Sequence, residues 1–263
     1  MKALSNNKFS HLLVITKATL VETWRRQFFL AIALIILTGM ALSTFSESLA
    51  LTESTSIHIA FLATFLRTTL VVSLALFILN SQMQELKSRF LDQMFALPLS
   101  KNHWYLGKYL GFTITALLIS LLAALTLLTL APWEQVLMWQ LSLFFELTLV
   151  AGFTLLCSFT FNQTFSAFLV VMAFYLLSRS MSAILLIGHG PLNNPTDYWG
   201  NLSTQTIEVI AWILPKLDQF SQTDWLIYHS ATPQLLGQIT IQSAVYILLI
   251  ISASLFDLQR KNH

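Results

Sequence analysis

The sequence predicts an all-α polytopic membrane protein, and three observations carry that prediction. Of the 263 residues, 56% are hydrophobic and only 10% are charged, where a soluble domain carries about 25% charged residues. A mean hydropathy of +0.69, with 20 Phe and 7 Trp, excludes a disordered chain, which lacks the apolar surface to bury. Apolar, nearly charge-free runs of about 20 residues, the length that crosses a hydrocarbon core, recur along the chain. The formal net charge of +2 is mildly basic, but in such a chain the placement of charges matters more than their sum, and no nucleic-acid partner is expected. The single Cys157 allows neither an internal disulfide nor a thiolate cluster for zinc or iron–sulfur.

Residues 1–27 form the first unit. They carry Lys2, Lys8, Lys17, Arg25 and Arg26 with no apolar core before Phe28, so no cleavable signal peptide is expected. Drawn as a helix, 8–27 places Phe9, Leu13, Leu20 and Trp24 on one side and Lys8, His11, Glu22, Arg25 and Arg26 on the other. Such a helix lies in the membrane interface with its basic side at anionic headgroups. The plainer alternative is a basic flank of the first span.

Residues 28–263 form the membrane domain, with six spans predicted at 28–44, 59–79, 109–130, 136–160, 165–187 and 237–256. The charge-free stretch from Leu147 to Ser178 is too long for one span, and Asn162 with Gln163 marks the turn that divides it. Eleven of the 14 basic residues then fall on one side: Lys2, Lys8, Lys17, Arg25, Arg26, Lys87, Arg89, Lys101, Lys108, Arg260 and Lys261. The positive-inside rule makes that side cytoplasmic, with both termini in. The location expected is a cell membrane, specifically a bacterial inner membrane, crossed several times.

Two connections ask for explanation by their length. Between 80 and 108, Met83, Leu86, Phe90, Met94 and Leu97 keep helical spacing while Glu85, Lys87, Arg89 and Asp92 fill other positions. The pattern predicts an amphipathic cytoplasmic helix over 83–97, closed by Pro98. The outer segment 188–236 opens with turn chemistry at Gly188, Gly190, Pro191, Asn193, Asn194 and Pro195. It continues with a short helix through Ile207, Ile210, Ala211, Ile213 and Leu214 that stops at Pro215. Its apolar character and Trp199, Trp212 and Trp225 predict a segment lying at the outer interface or dipping back into the membrane; an ordered loop capping the bundle is the alternative.

This pattern resembles the ABC-2 type permeases, the membrane subunits of ATP-driven exporters. The stretch Glu85-Leu-Lys-Ser-Arg-Phe-Leu-Asp-Gln-Met-Phe-Ala-Leu-Pro-Leu-Ser100, followed by Leu106-Gly-Lys-Tyr-Leu110, carries the resemblance. In that family an acidic residue opens a coupling helix, and a Leu-Pro-x-Ser element leads to a Gly-Lys pair where the chain re-enters the membrane. Glu85, Pro98, Ser100, Gly107 and Lys108 match; the Gly often found after the acidic residue does not, since Lys87, Ser88 and Arg89 stand there. Leu214-Pro-Lys-Leu-Asp-Gln-Phe220 with Asp224-Trp225 is further similar to permeases associated with maturation of multicopper enzymes. The resemblance implies two permease subunits, as homo- or heterodimer, each docking its coupling helix in a separate ATPase subunit. Phe90, Met94 and Phe95 would anchor that contact, and Glu85 and Arg89 would orient it. The chain has no G-x-x-x-x-G-K-[ST] phosphate loop, so ATP and Mg are expected in the partner and no cofactor in this chain.

Arg67, Glu146 and Arg179 fall inside predicted spans, where an ionisable side chain is costly and faces a bundle interior or a wet cavity. All three lie roughly 12 to 15 Å below the outer surface at about 1.5 Å per residue. They can therefore meet, with Glu146 between or shared by the two arginines, tying the second, fourth and fifth spans. The same charges could line a path with net positive charge, suited to an anionic headgroup, or the arginines could snorkel outward. Rival functions have less in the sequence. An intramembrane enzyme would need a motif such as H-E-x-x-H or G-x-S-x-G, and neither occurs. A secondary transporter would show inverted repeats and helices interrupted by Gly or Pro, and here the 8 Gly and 6 Pro lie mostly in loops. A purely structural assembly factor leaves no signature of its own.

Overall fold

In the computed structural model, residues 2–49, 54–87, 101–161, 163–188 and 198–260 are described. They fold as α1 Lys2–Arg25, α2 Phe28–Leu49, α3 Ser54–Lys87, α4 Lys101–Leu127, α5 Trp133–Thr160, α6 Thr164–Gly188, α7 Tyr198–Ile213, α8 Asp224–Tyr228 and α9 Pro233–Arg260, with a 3-10 turn at Leu217–Gln219. The described residues contain no strand. Helices α2, α3, α4, α5, α6 and α9 are long and apolar enough to cross a membrane, so the chain is an all-α polytopic membrane protein. They run alternately between a pole rich in basic residues, here the basic pole, and an opposite pole.

The spanning helices mostly outrun the apolar runs that mark them in sequence, although α4, expected over 109–130, ends at Leu127. The clearest case is α3, expected to end at Leu79 but continuous to Lys87. Ser81 and Gln82 are fully buried and Met83 is nearly so. Met83, Glu85 and Leu86 thus belong to the last turn of α3 and not to a separate amphipathic helix. The remainder of the predicted 83–97 helix lies outside the described residues, as does the turn over 189–197. The divide expected in the stretch from Leu147 to Ser178 is present, since α5 ends at Thr160 and α6 begins at Thr164.

Helix α5 is the axis of the bundle. Of its most apolar stretch 72% is buried inside the protein, against 28% for α2, 22% for α6 and 17% for α9. It packs against α3, α4, α6 and α9. The outer helices leave apolar faces uncovered, such as Leu34 and Leu37 on α2, Phe165 and Leu176 on α6, and Leu248 and Phe256 on α9. In water such faces would drive aggregation; in a bilayer they meet lipid tails of equal polarity.

Helix α1 is docked on protein. Gly107 and Gly111, one turn apart on α4, present no side chain, and a Cβ at either would lie 2.8 Å from Ile15 or 2.6 Å from Thr19. This is small-residue packing, in which missing side chains let two helix backbones approach. Thr16 donates its hydroxyl to the Gly107 carbonyl at 3.1 Å across the contact. Of the stripe expected to face the membrane, Leu13 and Trp24 are exposed, at 64% and 74%, whereas Leu20 is half-buried and the side chain of Phe9 lies outside the described residues. Glu22, grouped in the sequence with residues facing headgroups, instead turns inward. A corner with Gln27 in the left-handed region, φ 55°, leads into α2, whose first residue Phe28 stacks on Phe77 of α3 at 4.3 Å between ring centroids.

Candidate functional site

Charge is concentrated at two places inside the protein. The first lies within the spanning helices. Trp139, Ser142 and Glu146 recur at i, i+3 and i+7 on α5 and so share one face. Tyr175 and Arg179 recur at i, i+4 on α6, and Arg67 comes from α3. Glu146 is fully buried. Its Oε1 accepts from the Tyr175 hydroxyl at 2.9 Å and from Arg179 Nη1 at 3.4 Å.

The rest of the cluster comes from the chain after Pro215, a strap over 214–223 that enters the bundle between α3, α5 and α6. Helix α7 ends at Ile213, before Pro215, as the sequence predicts. The strap then buries Leu217 and Phe220 completely. Ser221, also fully buried, uses every polar atom it has. Its N–H donates to Ser142 Oγ at 2.9 Å and its hydroxyl to Glu146 Oε2 at 2.8 Å. Its carbonyl accepts from Arg67 Nη1 at 2.8 Å and Trp139 Nε1 at 3.2 Å. Ser221 holds φ 48°, a left-handed conformation unusual outside glycine. Arg179 Nη1 donates to the carbonyls of Leu217 at 2.6 Å and Phe220 at 2.9 Å. One turn further along α6, the Ser182 hydroxyl donates to Asp218.

The structure therefore brings Arg67, Glu146 and Arg179 into one network, through a partner the sequence did not supply. Arg67 is joined to Glu146 by way of Ser221, and both guanidinium groups hold the strap. The outer segment accordingly enters the bundle: Trp225 and Leu226 behind the strap are buried, whereas Trp212 on α7 is 84% exposed. Tyr175, Trp139 and Ser142 were legible in principle, since each sits one or two turns from a charged residue on the same helix face. Ser221 carries no such signal.

The second cluster stands at the basic pole. Lys108 of α4, 6% exposed, donates to Glu85 of α3 and, at 3.4 Å, to Glu22 of α1. Glu22 also accepts from the Ser81 hydroxyl at 2.7 Å and pairs with Arg26 at 3.0 Å. Lys108 thus clamps three helices. Of the residues expected to meet an ATPase, Glu85, Gly107 and Lys108 are brought together here; Arg89, Phe90, Met94, Phe95, Pro98 and Ser100 lie outside the described residues. Glu22 and Ser81 were missed as members. The Gly107-x-x-x-Gly111 spacing was the available signal that α1 would pack at this point. At the opposite pole His58 of α3 meets Glu47 of α2 at 2.8 Å.

Among the described residues no group of His, Cys, Asp and Glu is arranged to hold a metal ion. No protein-family model matches the sequence, and no curated protein matches it significantly.

Proposed function

We propose that the chain is the membrane-spanning permease subunit of an ATP-driven exporter, pairing with a second permease subunit and coupled to a separate ATPase. One observation carries this reading. Glu85 and Lys108, the first and last members of the motif that resembles the permease coupling segment, are in contact. The ends of α3 and α4 that flank residues 88–100 are therefore tied to one another. Force applied between those ends passes directly to α3 and α4, and through Glu22 to α1. A buried charge pair suits that task, because its geometry is fixed and strongly coupled.

In this reading the basic pole is cytoplasmic, with both termini inside, and the ATP and Mg belong to the partner. The motor is a P-loop ATPase seated on 88–100, with Phe90 and Met94 as apolar anchors. The test is co-purification of a P-loop ATPase with the full chain from its native membrane, followed by reconstitution of the pair. Phe90→Asp with Met94→Asp should abolish association while the protein remains folded. Association that survives both substitutions refutes the coupling role. Transport by the chain alone, driven by an ion gradient and indifferent to ATP, refutes the exporter reading in favour of a secondary transporter.

A further inference from the structure

We propose that Arg67 and Arg179 form a binding site for a single anionic oxygen group, such as the phosphate of a lipid headgroup, and that the strap carbonyls fill this site as stand-ins in the present conformation. The proposal names a substrate class for the path inferred above, so its part in transport rests on that reading; the binding itself does not.

Three features point to it. First, the nearest partners of the guanidinium groups are neutral carbonyls. Arg179 Nη1 stands 2.6 Å from Leu217 O but 3.4 Å from Glu146, and Arg67 Nη1 stands 2.8 Å from Ser221 O. A phosphate or carboxylate oxygen makes stronger, charge-assisted bonds with the same donors. Second, Arg67 has a donor to spare. Its Nε is buried with no acceptor among the described residues, although the residue is only 8% exposed. Third, the charge balance depends on the strap. With the strap seated, Glu146 and Asp218 are the carboxylates held in this cluster beside Arg67 and Arg179, while the strap's own cation, Lys216, is exposed to the outside. Asp218 belongs to the strap and is held by Ser182. Lifting the strap removes that carboxylate and leaves two guanidinium groups facing Glu146 alone, a net positive charge that an incoming anion restores to balance. The left-handed backbone at Ser221, φ 48°, makes the seated strap conformationally costly and so favours exchange.

The experiment is hydrogen–deuterium exchange and lipid binding on the full chain in a neutral detergent, with phosphatidylglycerol, phosphatidylcholine or inorganic phosphate added. Phosphatidylglycerol should bind about tenfold more tightly than phosphatidylcholine, because both carry the same phosphate but only phosphatidylcholine brings a choline cation, which the two guanidinium groups repel. It should speed amide exchange over 217–223, where the Ser221 N–H is otherwise held by Ser142. Competition by millimolar phosphate assigns the site to free anions as well; failure to compete assigns it to a lipid headgroup. Arg67→Gln and Arg179→Gln should abolish the preference, whereas Lys17→Gln with Arg25→Gln, on the exposed side of α1, should leave it. Glu146→Gln should strengthen anion binding several-fold, a gain that misfolding cannot produce. The proposal is overturned if exchange over 217–223 is unchanged or slowed by every anion, if the preference survives both arginine substitutions, or if Glu146→Gln weakens binding. Anion binding without any associated ATPase would leave this site standing and remove the exporter reading; the opposite result would do the reverse.

Discussion

Replacing Glu146 by alanine tests what holds the strap in the bundle. Glu146 accepts from Tyr175, Ser221 and Arg179 while fully buried. Its loss leaves two buried hydroxyls without their acceptor, each at about 1–3 kcal/mol. It also strips Arg179 of its counter-charge, and breaking a buried ion pair from one side costs about 3–5 kcal/mol. These terms overlap, because Arg179 keeps the Leu217 and Phe220 carbonyls and the hydroxyls can turn to new acceptors. A net loss of about 3 kcal/mol is expected, which at about 2–4 °C per kcal/mol lowers the unfolding midpoint by about 6–12 °C. Cys157, the single cysteine and 2% exposed, supplies the assay, since a thiol-reactive fluorophore lights up only as the core opens. Glu146→Gln is the control. Its amide oxygen still accepts from Tyr175, and its NH2 can donate to the Ser221 oxygen, so the loss should be about 1 kcal/mol. If Glu146→Ala unfolds within about 2 °C of the wild type, or if glutamine costs as much as alanine, the network does not hold the strap.

Other substitutions separate the remaining contacts. Gly111→Leu should pry α1 from α4, since even a Cβ there would sit 2.6 Å from Thr19; limited proteolysis within α1 should accelerate at least tenfold, a change of about 1.4 kcal/mol. Gly237→Ala, with nothing within 4 Å of the added methyl, should leave the fold intact and stabilise α9 by up to about 1 kcal/mol in thermal unfolding. Lys108→Met leaves Glu85 and Glu22 facing one another without their shared cation. It should cost about 3 kcal/mol in thermal unfolding and, on the proposed exporter reading, abolish coupling to an ATPase. His58→Gln should move stability by less than about 1 kcal/mol, because its partner Glu47 is 39% exposed and water screens the pair. A large effect there would show that the opposite pole is more deeply buried than its exposure indicates.

Much of the fold was legible because the bilayer imposes a simple rule. A stretch that crosses hydrocarbon must be apolar and must satisfy its own backbone, so six runs of about 20 residues announce six helices. The convergence of Arg67, Glu146 and Arg179 was also readable, since depth in a membrane follows from sequence distance along each span. Boundaries were less so. Ser81 and Gln82 look like the end of a span, yet α3 continues through them and buries both, with the Ser81 hydroxyl bonded to Glu22 of α1. Glu22 looked solvent-facing because periodicity gives only the angle of a side chain around its helix, and says nothing of what another helix brings opposite.

By itself, then, the sequence determined the class of the protein, the number of its spans, the stop at Pro215 and the shared depth of three buried charges, all consequences of local composition and of distance along one helix. The tertiary structure decided what those charges hold. Ser221 is an ordinary serine in an ordinary loop until Pro215 and the left-handed turn carry it into the bundle, where four side chains from α3 and α5 engage its amide, carbonyl and hydroxyl. Hydrogen bonds of that kind join residues 75 or more positions apart, and only the packing of helices selects which of many polar groups will meet.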